Sequence, residues 1–376
     1  MEPDKHTNQK SKTSKLSAFI ATFLVVVLAV LVFLYHDKLS PSSISEVSGS
    51  KAQAVSNSDP FTYENGSKQM FTLMGDDLAI ASTTGLQLLD SEGKTISRQI
   101  FSMSNPAVCS NGNFSAFYDV GGKSLRVYKD GDYTSLDREN AIISVSVNNS
   151  GFLAVTEEEA GYKGSVTVYN SNLNSVYKWY SGSGYTLDAV VSPDNNTLAV
   201  LCVESSGSVI HLFHLDSETE LSSISIPNEL AFKLCYNSDG KLCSLSEDAV
   251  YFFSSEGKQL STYSFERNYL ANYNLSDEFC SVVLSKYVSG SNVSLISFTS
   301  DGKVLANVSL SDEPVMLFSQ KQKLLVLDAS GITLYSRDLR VTKQNQIVPG
   351  YISAVLLSKG TVLLLSSHFG EEYKFS

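Results

Sequence analysis

Two hydrophobic patterns divide the chain. Residues 16–35 read LSAFIATFLVVVLAVLVFLY, an apolar run with no charge, Pro or Gly. Beyond residue 58, apolar and polar positions alternate in short runs broken by Gly, Asn, Asp and Ser. That period of two belongs to strands with one buried face, whereas an amphipathic helix repeats near 3.6. The strand-forming part also repeats itself. A polar turn, a large apolar residue, usually a small one and then more strand recur, as in Asp77-Leu78-Ala79-Ile80, Asn113-Phe114-Ser115-Ala116 and Thr197-Leu198-Ala199-Val200. The leading apolar residues of the copies are Leu78, Phe114, Leu153, Leu198, Leu242, Phe279, Leu324 and Val362. Their mean spacing is about 41 residues, a period that marks stacked units of one supersecondary motif.

Each phrase is followed by a second alternating run, for example residues 85–90, 124–129, 165–170, 208–213 and 249–254. These runs are rich in β-branched and aromatic residues, which fit a pleated, half-buried surface. Tight turns come next, with Gly93-Lys94, Gly257-Lys258 and Gly302-Lys303. Glycine there supplies the positive φ such turns require. Counting one strand before each phrase and one after each turn gives four strands per unit. The expected fold is all-β, an eight-bladed β-propeller of four-stranded antiparallel blades over residues 59–376. The last unit offers strands only at 351–358, 361–367 and near 371–375, one too few. Residues 59–65, DPFTYEN, precede the first full unit and are expected to supply its outer strand, hiding an edge that would otherwise be open.

The apolar run matches a transmembrane helix. Twenty residues at about 1.5 Å each span about 30 Å, the thickness of a bilayer's hydrocarbon core. Lys5, Lys10, Lys12 and Lys15 precede it and only Lys38 follows closely. The excess of positive charge places the N-terminus in the cytoplasm and the remainder outside. A cleaved signal peptide would have a shorter apolar core with a small-x-small site directly behind it. Here the nearest such site is Ala52-Gln53-Ala54. The expected organisation is a cytoplasmic tail over 1–15, a transmembrane helix over 16–35, a Ser-rich flexible stalk over 36–58 and the propeller over 59–376.

The Ser192-Pro193-Asp194 turn before Leu198-Ala199-Val200 is similar to the inner-strand turn of WD40-like propellers. The Gly-Lys turns resemble those of the quinoprotein-like eight-bladed group, which includes the scaffold lipoprotein of outer-membrane β-barrel assembly. Basic tail, single anchor, Ser-rich stalk and Tyr-rich propeller together resemble a bacterial family of membrane-anchored propellers of unknown function. The resemblance implies the fold and an extracytoplasmic location; its motifs are structural turns that carry no chemistry. No Trp-Asp dipeptide occurs, unlike in WD40 proteins, and Trp179 is the single tryptophan, whereas a Trp recurs in most quinoprotein blades.

Composition narrows the function. Net charge is −11, which argues against nucleic acid, because neutralising phosphates supplies most of such affinity. The five cysteines, Cys109, Cys202, Cys235, Cys243 and Cys280, all fall in expected strands as small buried fillers. Cys235 and Cys243 flank one hairpin, so a cross-link between them is the alternative, though an odd number of cysteines argues against a disulfide framework. His211 and His214 lie at i and i+3 on one strand, hence on opposite faces, and neither a Cys-x-x-Cys nor a His-Glu-x-x-His motif is present. There is no Gly-x-Ser-x-Gly elbow and no P-loop. No metal, cofactor or catalytic constellation is expected.

Two features point to a binding face. The run Glu157, Glu158, Glu159, Ala160, Gly161, Tyr162, Lys163 joins the second and third strands of the third unit and is longer than its counterparts. A similar insertion, with Lys286 and Tyr287, occurs in the sixth. Insertions in repeat proteins gather on the binding face. Tyr185, Tyr269 and Tyr351 each open the first strand of a unit and so should stand near the mouth of the central channel. Ordinary packing is the competing reading for the tyrosines, and a solvated acidic loop for the insertion.

The sequence therefore reads as a non-catalytic, single-pass cell-membrane protein. It would bind the bilayer through residues 16–35 and an extracytoplasmic protein or cell-envelope partner through its propeller. The alternatives are a quinone-dependent or glycan-active propeller enzyme, and a sensor that acts through a partner in the membrane.

Overall fold

The computed structural model describes residues 59–375 except Asn65, Gly112 and Asp130. The expected tail, membrane helix and stalk within residues 1–58 lie outside the described residues. Among those described, 32 strands form eight four-stranded antiparallel sheets. Blade 1 runs from Met70–Met74 to Thr95–Ile100, blade 2 from Pro106–Asn111 to Asp132–Ser135, and blade 3 from Ile142–Val147 to Ser175–Tyr180. Blade 4 runs from Tyr185–Val191 to Glu220–Pro227, blade 5 from Ala231–Tyr236 to Gln259–Ser264, and blade 6 from Tyr269–Leu275 to Val304–Leu310. Blade 7 runs from Met316–Gln320 to Val341–Gln346. Blade 8 combines Ser353–Leu356, Val362–Leu365 and Phe369–Tyr373 with Phe61–Thr62 from the other end of the domain.

Within blades 1 to 7 the strands pair in chain order, and the first strands of neighbouring blades, those of blades 5 and 6 excepted, lie against one another around the axis. Antiparallel order then fixes two faces. Turns between strands one and two, and between three and four, share a hairpin face. Turns between strands two and three share the opposite, crossover face with the connections from blade to blade.

The core is not one mass. Among the described residues it divides into eight apolar clusters, one at each interface between blades. The second strands supply most of it, because they are covered on both sides. Leu153, Ala154 and Val155 of blade 3 and Leu198, Ala199 and Val200 of blade 4 are fully buried. This is why the recurring phrase reads as continuous apolar sequence and not as alternation. At about 25 cal/mol per Å² of apolar area buried, every interface contributes, so stability accumulates around the ring.

Closure follows the expected route. Phe61 and Thr62 pair with Gly370 and Phe369. Tyr63 lies in the cluster between blades 8 and 1, with Leu78, Leu89 and Leu365. Its hydroxyl donates to the Ser366 carbonyl at 2.5 Å. Phe61 also explains one turn: a Cβ at Gly93, where φ is +82°, would lie 2.1 Å from the Phe61 ring. On the hairpin face, the Asp76 carboxylate of blade 1 accepts from the amide of Ser358 in blade 8 at 2.8 Å and from its hydroxyl at 2.5 Å. Those two bonds hold the Asp76 carboxyl below its usual range.

Two sequence expectations need correction. Glu157 is not in a loop: it is the last residue of the strand Leu153–Glu157 and is 2% exposed. The first strand of blade 8 begins at Ser353, two residues after Tyr351, and its third lies at Phe369–Tyr373. The five cysteines are free thiols, in keeping with their reading as small fillers, and the alternative Cys235–Cys243 link is not formed.

Candidate functional site

A backbone irregularity separates half of the ring. The first strands of blades 3, 4, 5 and 6 each carry a register shift near their start, between Ile142 and Ser144, Thr186 and Asp188, Ala231 and Lys233, and Leu270 and Asn272. The first strands of blades 1, 2, 7 and 8 pair without one. A bulge bends its strand and re-aims the side chains after it. The residue after every bulge is polar: Ser144, Asp188, Lys233 and Asn272.

Two of these four form an ion pair beside the axis. Lys233 Nζ lies 2.8 Å from Asp188 Oδ2, which also accepts from the Leu234 amide at 3.0 Å. Asp188 is 1% exposed and its Oδ1 has no hydrogen-bond partner. Burial opposes a charge on Lys233, but the Asp188 carboxylate outweighs it and holds the ammonium above its usual range. Burial pushes the nearby Cys109 thiol up to about 12. Lys233, Cys109, Cys235 and Tyr236 line a channel cavity of about 180 Å³. At the hairpin face Asn149 of blade 3 reaches across the axis and donates to Asp277 of blade 6 at 2.5 Å.

The crossover face of the same blades carries aromatic and charged groups. The two-to-three turn of blade 3 presents Glu158, Glu159, Tyr162 and Lys163. Tyr162 is 52% exposed and its ring lies 4.8 Å from that of Tyr180. Lys163 donates to the Tyr185 hydroxyl at 3.1 Å, and Tyr185 is 59% exposed. Lys178 lies 4.7 Å from the Tyr180 ring and 3.5 Å from the Glu159 carboxylate, which also accepts from Ser165. The turn is therefore pre-ordered, with Tyr162, Tyr180 and Tyr185 held around two lysines.

Blades 5 and 6 form the second part. Tyr269, 52% exposed, lines an open groove of about 890 Å³ together with Tyr273, Phe232, Glu247, Asp248 and Glu266. The turn of blade 6 exposes Lys286, Tyr287 and Val288, the last at 80%. Among the described residues, every tyrosine the structure leaves exposed lies in blades 3 to 6: Tyr162, Tyr180, Tyr185, Tyr269, Tyr273 and Tyr287.

The remaining candidates sit elsewhere. Glu157 accepts from Arg138 through both oxygens at 2.9 Å, and Arg138 also donates to the Tyr169 hydroxyl. This clasp pins the connection from blade 2 onto blade 3 and is structural. Tyr351 is half-buried against the cluster between blades 7 and 8, and its hydroxyl donates to Glu371. Tyr180 was missed by sequence reading, although its signal exists. In the strand Ser175–Tyr180, Tyr177 and Trp179 turn inward while Val176, Lys178 and Tyr180 alternate outward.

The fold is an eight-bladed propeller, and among the described residues its exposed tyrosines gather on one half of the ring. The chain belongs to the family of unknown function DUF5711, which matches residues 50–347. No match was found among curated proteins. The fold is similar to the C-terminal WD40 domain of Sif2, at 14% identity and a TM-score of 0.58, covering 83% of this chain and 97% of that one. It is also similar to BamB from Moraxella catarrhalis, at 8% identity and a TM-score of 0.52, covering 84% and 100%. The propeller domain of Myceliophteria thermophila Cps50 (Swd1) gives 10% identity and a TM-score of 0.52, covering 74% and 99%. At these identities the likeness is one of fold.

Proposed function

We propose that the chain is a non-catalytic binding or scaffolding protein, anchored in the cell membrane by residues 16–35, with its propeller on the extracytoplasmic side. Its partner is a protein of the cell envelope, held by the crossover face of blades 3 to 6. The observation that carries this reading is the confinement of the exposed tyrosines to those blades. Tyrosine brings large contact area and a polar tip at little entropic cost, which is why it dominates interface anchors. Glu247, Asp248 and Glu266, against Arg267, border the Tyr269 groove, so the partner should present basic groups and its association should weaken with salt.

The test compares binding with folding. Tyr162, Tyr180 and Tyr185 are each replaced by Ala in the full-length protein. Partner recovery from cross-linked membranes should fall at least about thirtyfold, at roughly 2 kcal/mol per anchor, with an unchanged melting temperature. Lower melting temperature with recovery intact would assign the tyrosines to packing. Topology is tested separately: protease added to spheroplasts should release a compact fragment beginning near Ser58. Protection of the whole chain would contradict the N-in orientation.

A further inference from the structure

Blades 5 and 6 meet in a cluster that contains Cys243, Phe252, Val282, Leu284 and Phe298, with Cys280 packed against its edge. Cys243 lies in the strand Leu242–Ser246 and Cys280 opens the strand Cys280–Ser285. Both follow the leading apolar residue of their repeat, Leu242 and Phe279. Passing from one blade to the next brings these equivalent positions side by side, and the two sulfurs lie 3.9 Å apart. Cys235 stands directly opposite Cys243 in the same sheet, but its thiol donates to its neighbour's carbonyl, that of Tyr236, at 3.4 Å. The three thiols line a cavity of about 220 Å³ that also meets the hairpin-face residues Asn237, Asp277 and Thr299.

We propose that Cys243 and Cys280 are a disulfide-forming pair that joins blade 5 to blade 6, oxidised by thiol–disulfide exchange with a small or protein-borne disulfide. The thiolate of one cysteine attacks the donor disulfide and displaces one donor sulfur. The second cysteine then attacks the mixed disulfide and displaces the other. Two protein thiols are oxidised, one donor disulfide is reduced to two thiols, and the two thiol protons pass to the departing sulfurs through solvent. The sulfurs must close from 3.9 Å to about 2.0 Å, within reach of side-chain rotation and small strand movement. The hydrogen bond with Cys280, followed by burial, holds the Cys243 thiol above its usual range. Exchange in the folded protein should therefore be slow at neutral pH and faster as pH rises, since the thiolate is the attacking species.

The test uses the reduced full-length protein in detergent, treated with cystamine at pH 7 and pH 9. Remaining thiols are then alkylated and the peptides analysed by mass spectrometry. The expected product is a peptide joined through Cys243 and Cys280, formed faster at pH 9, with two of the five thiols lost. The melting temperature should rise by roughly 5 °C and return on reduction, as for a cross-link closing a loop of this size. Cys235→Ser should keep the product and Cys280→Ser should abolish it. A Cys235–Cys243 linkage, cysteamine adducts without an internal link, or no thiol loss at either pH would overturn the proposal. Because the oxidant is supplied, the outcome is independent of the compartment in which the propeller resides.

Discussion

Blades 3 to 6 and blades 7, 8, 1 and 2 are built from the same repeat, yet they differ where the chain meets the axis. In the first group every inner strand is bulged near its start, and a polar residue follows. Tyr185 and Tyr269 open two of these strands, and among the described residues the exposed tyrosines all lie within the group. In the second group the inner strands pair without interruption and tend toward apolar positions such as Phe71, Val108, Leu317 and Ala354. That group holds the closure, where Phe61 and Tyr63 pack between blades 8 and 1. One half keeps the ring shut, and the other carries the irregularity and, among the described residues, the exposed tyrosines. Bulges and exposed aromatic side chains are costs to a fold, and their concentration in one half agrees with the proposal that binding and ring closure are separate.

The largest expected effect lies in the closing half. Deleting residues 59–65 removes the outer strand of blade 8 together with two aromatic anchors. It should cost at least about 5 kcal/mol, or roughly 10 °C in melting temperature, since truncating one buried aromatic already costs about 3–5 kcal/mol. Deleting residues 42–48 should have no comparable effect. Equal melting temperatures for the two deletions would remove closure from this half of the molecule.

The axial ion pair of the bulged half comes next. Lys233→Met leaves the Asp188 carboxylate buried and unpaired, and should cost about 3 kcal/mol. Combining it with Asp188→Leu should recover more than half of that loss, because the uncompensated charge is gone. Chemical denaturation of both variants checks this. An additive double variant would mean that the pair is not the interaction holding these strands.

The smallest effect is that of Asp76. Its folded carboxyl titrates below the ordinary aspartate value near 3.9. Its contribution is therefore complete above about pH 4 and is lost as pH falls through the lower folded value. Asp76 is only partly buried, so Asp76→Asn should cost under about 1 kcal/mol at neutral pH and flatten the acid limb slightly. An unchanged acid limb would show that the Asp76–Ser358 contact adds nothing to closure.

Much of the architecture was legible in the sequence, for local reasons. A buried second strand needs a continuous apolar run after a turn, and the eight copies at that spacing gave the blade count. The final unit was one strand short, which pointed to Phe61 and its neighbours. What stayed hidden depends on partners distant in the chain. A bulge is a relation between two strands, so alternation within one strand does not reveal those after Ile142 or Thr186. Asp188 and Lys233 meet only because neighbouring inner strands touch. Glu157 looked like the start of an acidic loop, and its burial is tolerable only because Arg138 returns to it from the preceding connection. Of the candidate face, Tyr185 and Tyr269 were found by their place in the repeat. Tyr180 required attention to which side of its strand was already taken by Trp179.

The proposed binding face is the crossover face of the bulged half. A photoreactive amino acid is placed separately at Tyr185 and Tyr287, and at Glu92 and Glu256 in turns of the hairpin face, in the full-length protein in intact membranes. Irradiation should give adducts of one common partner from Tyr185 and Tyr287, lost when Tyr162 and Tyr180 are both replaced by Ala, and none from Glu92 or Glu256. Adducts confined to Glu92 and Glu256, or a partner retained without Tyr162 and Tyr180, would contradict it.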